Sequence, residues 1–140
     1  MGDYDTVYAQ LMKMLPLEDF NHACTVAGKC KHLKRTCVVA FIHDVVEDGY
    51  ATFEEVQQRF NLNDEQMAAL DAITRRQGEK YFDYIARVKQ NEMATTVKLA
   101  DLQHNITRCI NDLPNRWGLI RRYAKAYGIL IDKWRDKNNE

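Results

Sequence analysis

Apolar and polar positions repeat at three- and four-residue intervals along almost the whole chain, and the two-residue alternation of strands is nearly absent. The pattern predicts helices, and the punctuation sets their ends. Residues 4–14 make a short amphipathic helix closed by Leu15-Pro16. A second covers residues 18–31, and a third runs from Leu33 to Asp48, where Gly49 stops it. Thr52 with Glu55 forms a capping box that opens a short helix ending near Phe60. Asn63 or Asp64 caps the next, which runs to Arg76 and is stopped by Gly78. Tyr81–Gln90 and Met93–Ile110 follow. Asp112 to Asn115, around Pro114, is a break, and a last long helix reaches about residue 136. No repeat, low-complexity stretch or linker interrupts the series. The expectation is one all-α domain over residues 1–140, a helical bundle.

The third helix carries the chain's densest chemistry. Cys37-Val38-Val39-Ala40-Phe41-Ile42 reads as core and runs directly into His43-Asp44-Val45-Val46-Glu47-Asp48. With His43 set at zero and about 100° per residue, Asp44 falls at about 100°, Glu47 at about 40° and Asp48 at about 140°. Val38, Val39, Ile42, Val45 and Val46 fall on the opposite side. Burying charge is costly unless it is paired or binds a metal. A His beside an Asp offers two ligands to a cation such as Mn, Fe, Zn or Mg. Glu47 and Asp48, one turn on, are placed to take a proton from an attacking water or to orient it. The rival is a core segment running into a solvated acidic helix end. Carboxylates at a helix C-terminus oppose the macrodipole, so that rival fits poorly.

Other candidates lie on separate helices. His22 sits beside the stripe of Val26, Ala27 and Cys30, as a core or capping histidine or as a further ligand for an ion held by His43 and Asp44. His32, in a Lys31-His32 turn, is expected to be exposed. In Val97-Lys98-Leu99-Ala100-Asp101-Leu102-Gln103-His104-Asn105, Asp101 and Asn105 flank an apolar face of Leu99, Leu102, Ile106, Cys109 and Ile110. A carboxylate so placed wants a cation, either an ion or a surface pairing with Lys98. Arg75, Arg76, Lys80 and Tyr81 form a basic, aromatic-flanked turn, suited to a substrate phosphate or to a plain helix C-terminus. Trp117, Ile120, Ala124, Tyr127, Ile131 and Trp134 make a core or homodimer stripe, with Arg121, Arg122 and Lys125 on a solvated face.

Composition narrows the class. A chain of 140 residues is long enough to bury a core. Lys plus Arg (20) balances Asp plus Glu (20), which argues against a dedicated nucleic-acid binder. No apolar run reaches the roughly 18–20 residues of a membrane span. The polar, acidic N-terminus carries no signal-peptide pattern. Cys24, Cys30, Cys37 and Cys109 form no CxxC pair and read as reduced core thiols, so a cytoplasmic protein is expected.

A lone His on an early helix, a His-Asp pair, and an Asp about a hundred residues into the chain together resemble the HD-domain superfamily of metal-dependent phosphohydrolases. More narrowly, His43-Asp44-Val45-Val46-Glu47-Asp48 and Val97-Lys98-Leu99-Ala100-Asp101, followed by His104-Asn105, look like the hydrolase domain of stringent-response (p)ppGpp enzymes. The resemblance implies an HD-type helical bundle holding one divalent metal, manganese first, with Mg, Fe, Zn, Co or Ni as alternatives. Its ligands would be His22, His43, Asp44 and Asp101. Glu47 and Asp48 would activate the attacking water. Asn105, and with it Lys98, Arg75 and Arg76, would contact a nucleotide substrate. The implied reaction removes pyrophosphate from the 3′ position of a guanosine polyphosphate; a 5′-nucleotidase and a non-catalytic nucleotide-binding module are the alternatives. The chain departs from that branch before His22, where Leu15-Pro16-Leu17-Glu18-Asp19-Phe20-Asn21 is acidic and short, and at Leu102-Gln103 in place of Arg-Leu.

Overall fold

The helix ends explain the architecture. In the computed structural model, the backbone of residues 4–138 and the side chains of residues 6–132 are described. The helices are α1 (Tyr4–Met14), α2 (Leu17–Lys29), α3 (Lys34–Ile42), α4 (Phe53–Phe60), α5 (Asp64–Ile73), α6 (Tyr81–Lys89), α7 (Glu92–Ile110) and α8 (Trp117–Asn138). No strand occurs among the described residues, so the fold is all-α as expected. The expectations for Met1–Asp3 and for the Trp134 side chain lie outside the described residues.

Both expected caps form. The Thr52 hydroxyl accepts from the Glu55 amide, and the Glu55 carboxylate accepts from the Thr52 amide. Asn63 and Gln66 repeat the box, which makes Asn63 rather than Asp64 the cap of α5.

Two helices end earlier than their apolar pattern. The period predicts a third helix reaching Asp48, but α3 stops at Ile42 and residues 43–49 form successive turns. His43 Nδ1–H donates to the Ala40 carbonyl at 2.7 Å, the acceptor that a continued helix would give to the Asp44 amide. The Val45 amide turns back to the Ile42 carbonyl, a tighter i→i−3 bond. Gly49 still ends the segment. Its φ is 81°, its amide bonds to Val46 and the Tyr50 amide bonds to Val45, which is a Schellman closure.

The expected helix to Arg76 stops at Ile73. The amides of Arg75 and Arg76 go to the carboxylates of Glu47 and Glu79 instead of to α5. The Arg87 guanidinium donates to the carbonyls of Ala72 and of Asp71, which also accepts from the Thr74 amide, and it holds Thr74 and Glu79 as well.

α7 lies at the centre and packs against α2, α3, α5, α6 and α8. Val7, Leu11, Val26, Val39, Ile42, Val56, Phe60, Leu70, Ile85, Leu102 and Leu130 are fully buried in one continuous core. Each such side chain contributes roughly 1.5–3 kcal/mol relative to exposure.

The stripe expected on α8 is rotated. Ala126 and Leu130 are buried with Tyr123 and Tyr127 against them, while Ala124 is exposed and Trp117 is 50 % exposed. On the face expected to be solvated, Arg121 and Lys125 are exposed, whereas Arg122 is half-buried, and two of its cations also lie over aromatic rings. The Arg122 guanidinium lies 4.0 Å from the Tyr81 ring centre and Lys125 Nζ 4.4 Å from that of Phe82. α8 thus meets α6 through cations on aromatic rings, which lets charged side chains cover apolar surface.

Candidate metal centre

Three helices deliver the site. α2 carries His22 on its buried side, the end of α3 presents His43 and then Asp44, and the middle of α7 supplies Asp101. Asp101 Oδ1 lies 2.7 Å from His22 Nε2 and 3.2 Å from His43 Nε2. Asp44 Oδ2 lies 3.2 Å from His43 Nε2 and 3.6 Å from His22 Nε2. One donor atom from each of the four residues falls within 4.8 Å of every other. His22, His43 and Asp101 are buried, and Asp44 is half-buried at the rim.

The donor set fits a divalent cation. Ligand atoms about 2.2 Å from one ion stand roughly 3.1 Å apart when adjacent, close to the separations here. The electrostatics agree. His43 spends its Nδ1–H on Ala40, so its Nε2 lone pair faces two carboxylates and wants a positive charge between them. Without an ion a proton fills that need. Burial pushes His43 down, but Asp44 and Asp101 outweigh it and hold the imidazole well above its usual range. Asp101 is held well below the carboxylate range: burial opposes this, and Lys98 with the two imidazoles overcomes it.

Lys98 and Asn105, expected at the substrate, both sit on Asp101. Lys98 Nζ, half-buried, donates to Oδ2 of the buried Asp101 at 2.9 Å, in place of the surface pairing that was the alternative, and Asn105 Nδ2 donates to Oδ1 at 3.3 Å. Glu47 and Asp48 are exposed. Glu47 Oε1 accepts from the Arg75 amide at 2.7 Å, which ties the acidic pair to the next loop. Although its surface is open, the surrounding protein partly strips water from the Glu47 carboxyl and raises it. Asp48 is pushed up to about 6 by burial and by the like charges of Asp44, Asp19 and Glu47.

Glu47 also lines an open cleft of about 600 Å³ with Arg75, Arg76, Gln77, Gly78, Glu79 and Lys80. The two arginines are engaged within the protein. The Arg75 side chain donates to the Glu79 carbonyl, and Arg76 forks onto Asp71 at 3.1 Å. His32 is exposed, as expected, and the four cysteines are free thiols that take no part in the cluster.

Two site residues escaped the sequence reading. His104 Nδ1 lies 2.7 Å from His22 Nδ1, with the two rings edge to edge, nearly parallel at 16° and their centres 4.9 Å apart. Burial and the nearby His22, Arg108 and Lys29 lower its pKa. Its i+3 spacing from Asp101 was the available signal. Arg87, which shapes the loop beneath Glu47, looks in sequence like any basic residue in a last helical turn.

Fold and site together define an all-α protein with a buried His/Asp cluster that could hold a metal ion. No protein-family model matches the chain. Among the described residues no helix is long and apolar enough to cross a membrane.

Proposed function

We propose that this chain is a divalent-metal-dependent phosphohydrolase of the HD type that acts on a nucleotide. The substrate its motifs resemble is a guanosine polyphosphate of the (p)ppGpp class, hydrolysed at the 3′-pyrophosphate. One observation carries the reading: His22, His43, Asp44 and Asp101, from α2, the turns after α3 and α7 and up to 79 residues apart, bring ligand atoms within 4.8 Å of one another.

A bound divalent cation, manganese first, would offset phosphate charge and lower the pKa of water. The chain's own groups would do the rest. His43, its tautomer set by Ala40, and Asp101, held by Lys98 and Asn105, keep fixed donor atoms. Asp48 exchanges a proton near neutral pH and is the better placed of the pair for general acid–base work. Glu47, anchored by the Arg75 amide, orients the attacking water at the mouth of the cleft.

The test uses full-length protein stripped with EDTA, reloaded with Mn²⁺ and given a panel of nucleotides. Pyrophosphate release from a 3′-pyrophosphorylated guanosine nucleotide is the expected result, with His43→Ala and Asp101→Ala each inactive. Full activity in both variants would sink the metal-centre reading. Orthophosphate release from 5′-nucleotides alone would replace the substrate assignment with a phosphomonoesterase. Binding without turnover under any divalent metal would leave a nucleotide-binding module.

A further inference from the structure

Two buried polar atoms have no hydrogen-bond partner among the described residues, the Tyr81 hydroxyl and Arg122 Nε. They belong to one contact between α6 and α8, in which the Arg122 guanidinium stands 4.0 Å from the Tyr81 ring centre. Both residues are half-buried, so the contact lies just beneath the surface. Arg122 Nε–H can only donate. Burial raises the Tyr81 phenol against the pull of Lys98 and Arg122, so it keeps its proton and can donate as well. Buried donors left unmatched are costly, and this pair calls for an acceptor.

A trapped water would satisfy both donors but not the charge. Arg75 lies 5.4 Å from the same Tyr81 ring, and Lys125 lies 4.4 Å from that of Phe82. Neither of them nor Arg122 pairs with a carboxylate among the described residues. The Arg75 side chain is spent on the Glu79 carbonyl, which leaves Arg122 as the cation with donors to offer. The other rim of the metal centre is acidic, where Asp19, Asp44, Glu47 and Asp48 stand within electrostatic reach of one another. An approaching anion is repelled on that side and drawn to α6 and α8.

We propose that Arg122 and Tyr81 form a phosphate-binding subsite, in which Arg122 Nε–H and the Tyr81 hydroxyl donate to oxygens of one phosphate group and Arg75 adds positive charge. The subsite adjoins the metal centre. Tyr81 meets the Tyr84 ring, Lys98 Nζ lies 5.1 Å from that ring, and Lys98 holds Asp101. Arg75 and Lys80, the neighbours of Tyr81, line the open cleft that Glu47 enters. A nucleotide cleaved at the metal centre would rest a second phosphate here, and free inorganic phosphate offers the same oxygens. Only the substrate role rests on the hydrolase reading above; phosphate binding does not. The contact expected of Arg75 and Arg76 thus passes to a residue of the last helix.

Inorganic phosphate is the direct probe, exchanged for chloride at equal ionic strength with the full chain in EDTA, so that no cation competes for it. Proton–nitrogen NMR reads the Arg122 Nε–H signal, assigned by its loss in Arg122→Lys. Phosphate should move that signal saturably. Tyr81→Phe keeps the ring, loses only the hydroxyl and should weaken phosphate several-fold. A signal that phosphate leaves unmoved would overturn the subsite and return both atoms to a trapped water. An unchanged phosphate affinity in Tyr81→Phe would overturn the shared grip.

Kinetics of the Mn²⁺-loaded chain separate the two sources of phosphate. Arg122→Gln should raise KM for a nucleotide with a second phosphate about 10-fold more than for its counterpart without that group, with kcat moved less. Equal changes in KM, beside a positive phosphate titration, would overturn the substrate role and assign the subsite to free phosphate. If wild type turns over neither nucleotide, the hydrolase reading fails, and the titration still decides the subsite. Circular dichroism verifies that each variant is folded.

Discussion

At the scale of residues, the site is organised by what surrounds Asp101. His22, His43, Lys98 and Asn105 all reach it, and its side chain is 4 % exposed. Asp44 contributes to the same cluster from the rim, with 42 % of its side chain open to water. Burial makes the two carboxylates unequal in ion-free protein. Removing the charge of Asp101 leaves Lys98 half-buried and unmatched, and breaking such a pair costs about 3–5 kcal/mol. Removing that of Asp44 still leaves Asp101 against the buried His43 imidazole, and Asp44 itself is partly in water, so the expected cost is at or below about 1 kcal/mol. Urea unfolding in EDTA should show Asp101→Asn strongly destabilised and Asp44→Asn nearly unchanged, although on the proposed metal-centre reading both should weaken binding of an added divalent cation. Equal losses of stability would contradict this division.

At the scale of elements, the segment from His43 to Gly49 decides where the acidic pair stands. Its side chains follow the expected amphipathic order: Val45 is buried, Val46 and Asp44 are half-buried, and Glu47 and Asp48 are exposed. A regular helix is not needed for that order. The Gly49 closure holds the last turn at a φ of 81°, which a β-carbon disfavours. Gly49→Ala should cost about 1–2 kcal/mol and, if the proposed hydrolysis is the activity, should also slow it by loosening the turn that carries Glu47 and Asp48. Thr52→Ala, a cap loss three residues on, should cost about 1 kcal/mol and leave the rate untouched. Thermal unfolding and turnover, measured side by side, check the pair. A rate loss that merely tracks stability in both variants would deny the segment a functional role.

At the scale of the whole molecule, the loop between α5 and α6 links core to site. Arg87 binds the carbonyls at the end of α5 and forks onto Glu79, Glu79 caps the Arg76 amide, and the neighbouring Arg75 amide holds Glu47. Hydrogen bonds from Arg87 hold the Glu79 carboxyl at about 2, against an ordinary 4.5. A carboxyl lowered in the folded state stabilises fully above its unfolded value and loses that contribution as pH falls through the folded one. Wild type should therefore exceed Glu79→Gln by a constant margin above about pH 5, and the margin should vanish as pH falls from 4.5 toward 2. Urea midpoints measured across that range test it. A margin independent of pH would remove the ion pair from the account.

The three- and four-residue apolar period, with Thr52, Asn63, Gly49 and Pro114 as punctuation, determined an all-α chain and nearly every helix, because period and capping are local properties. His43 and Asp44 were also legible as a charged pair ending a core segment, while His22 and Asp101 joined them as one set through the resemblance to HD-domain proteins, each keeping a structural alternative when read alone. Only the tertiary structure decided where α3 and α5 stop, because the competitors for their backbone groups are His43's own ring and the distant Glu47, Glu79 and Arg87. It alone decided that Lys98 and Asn105 serve Asp101, that Arg122 and Lys125 cover aromatic rings, and that His104 backs His22. Those roles depend on which helix faces which, and no spacing within one helix encodes a neighbour 82 residues away.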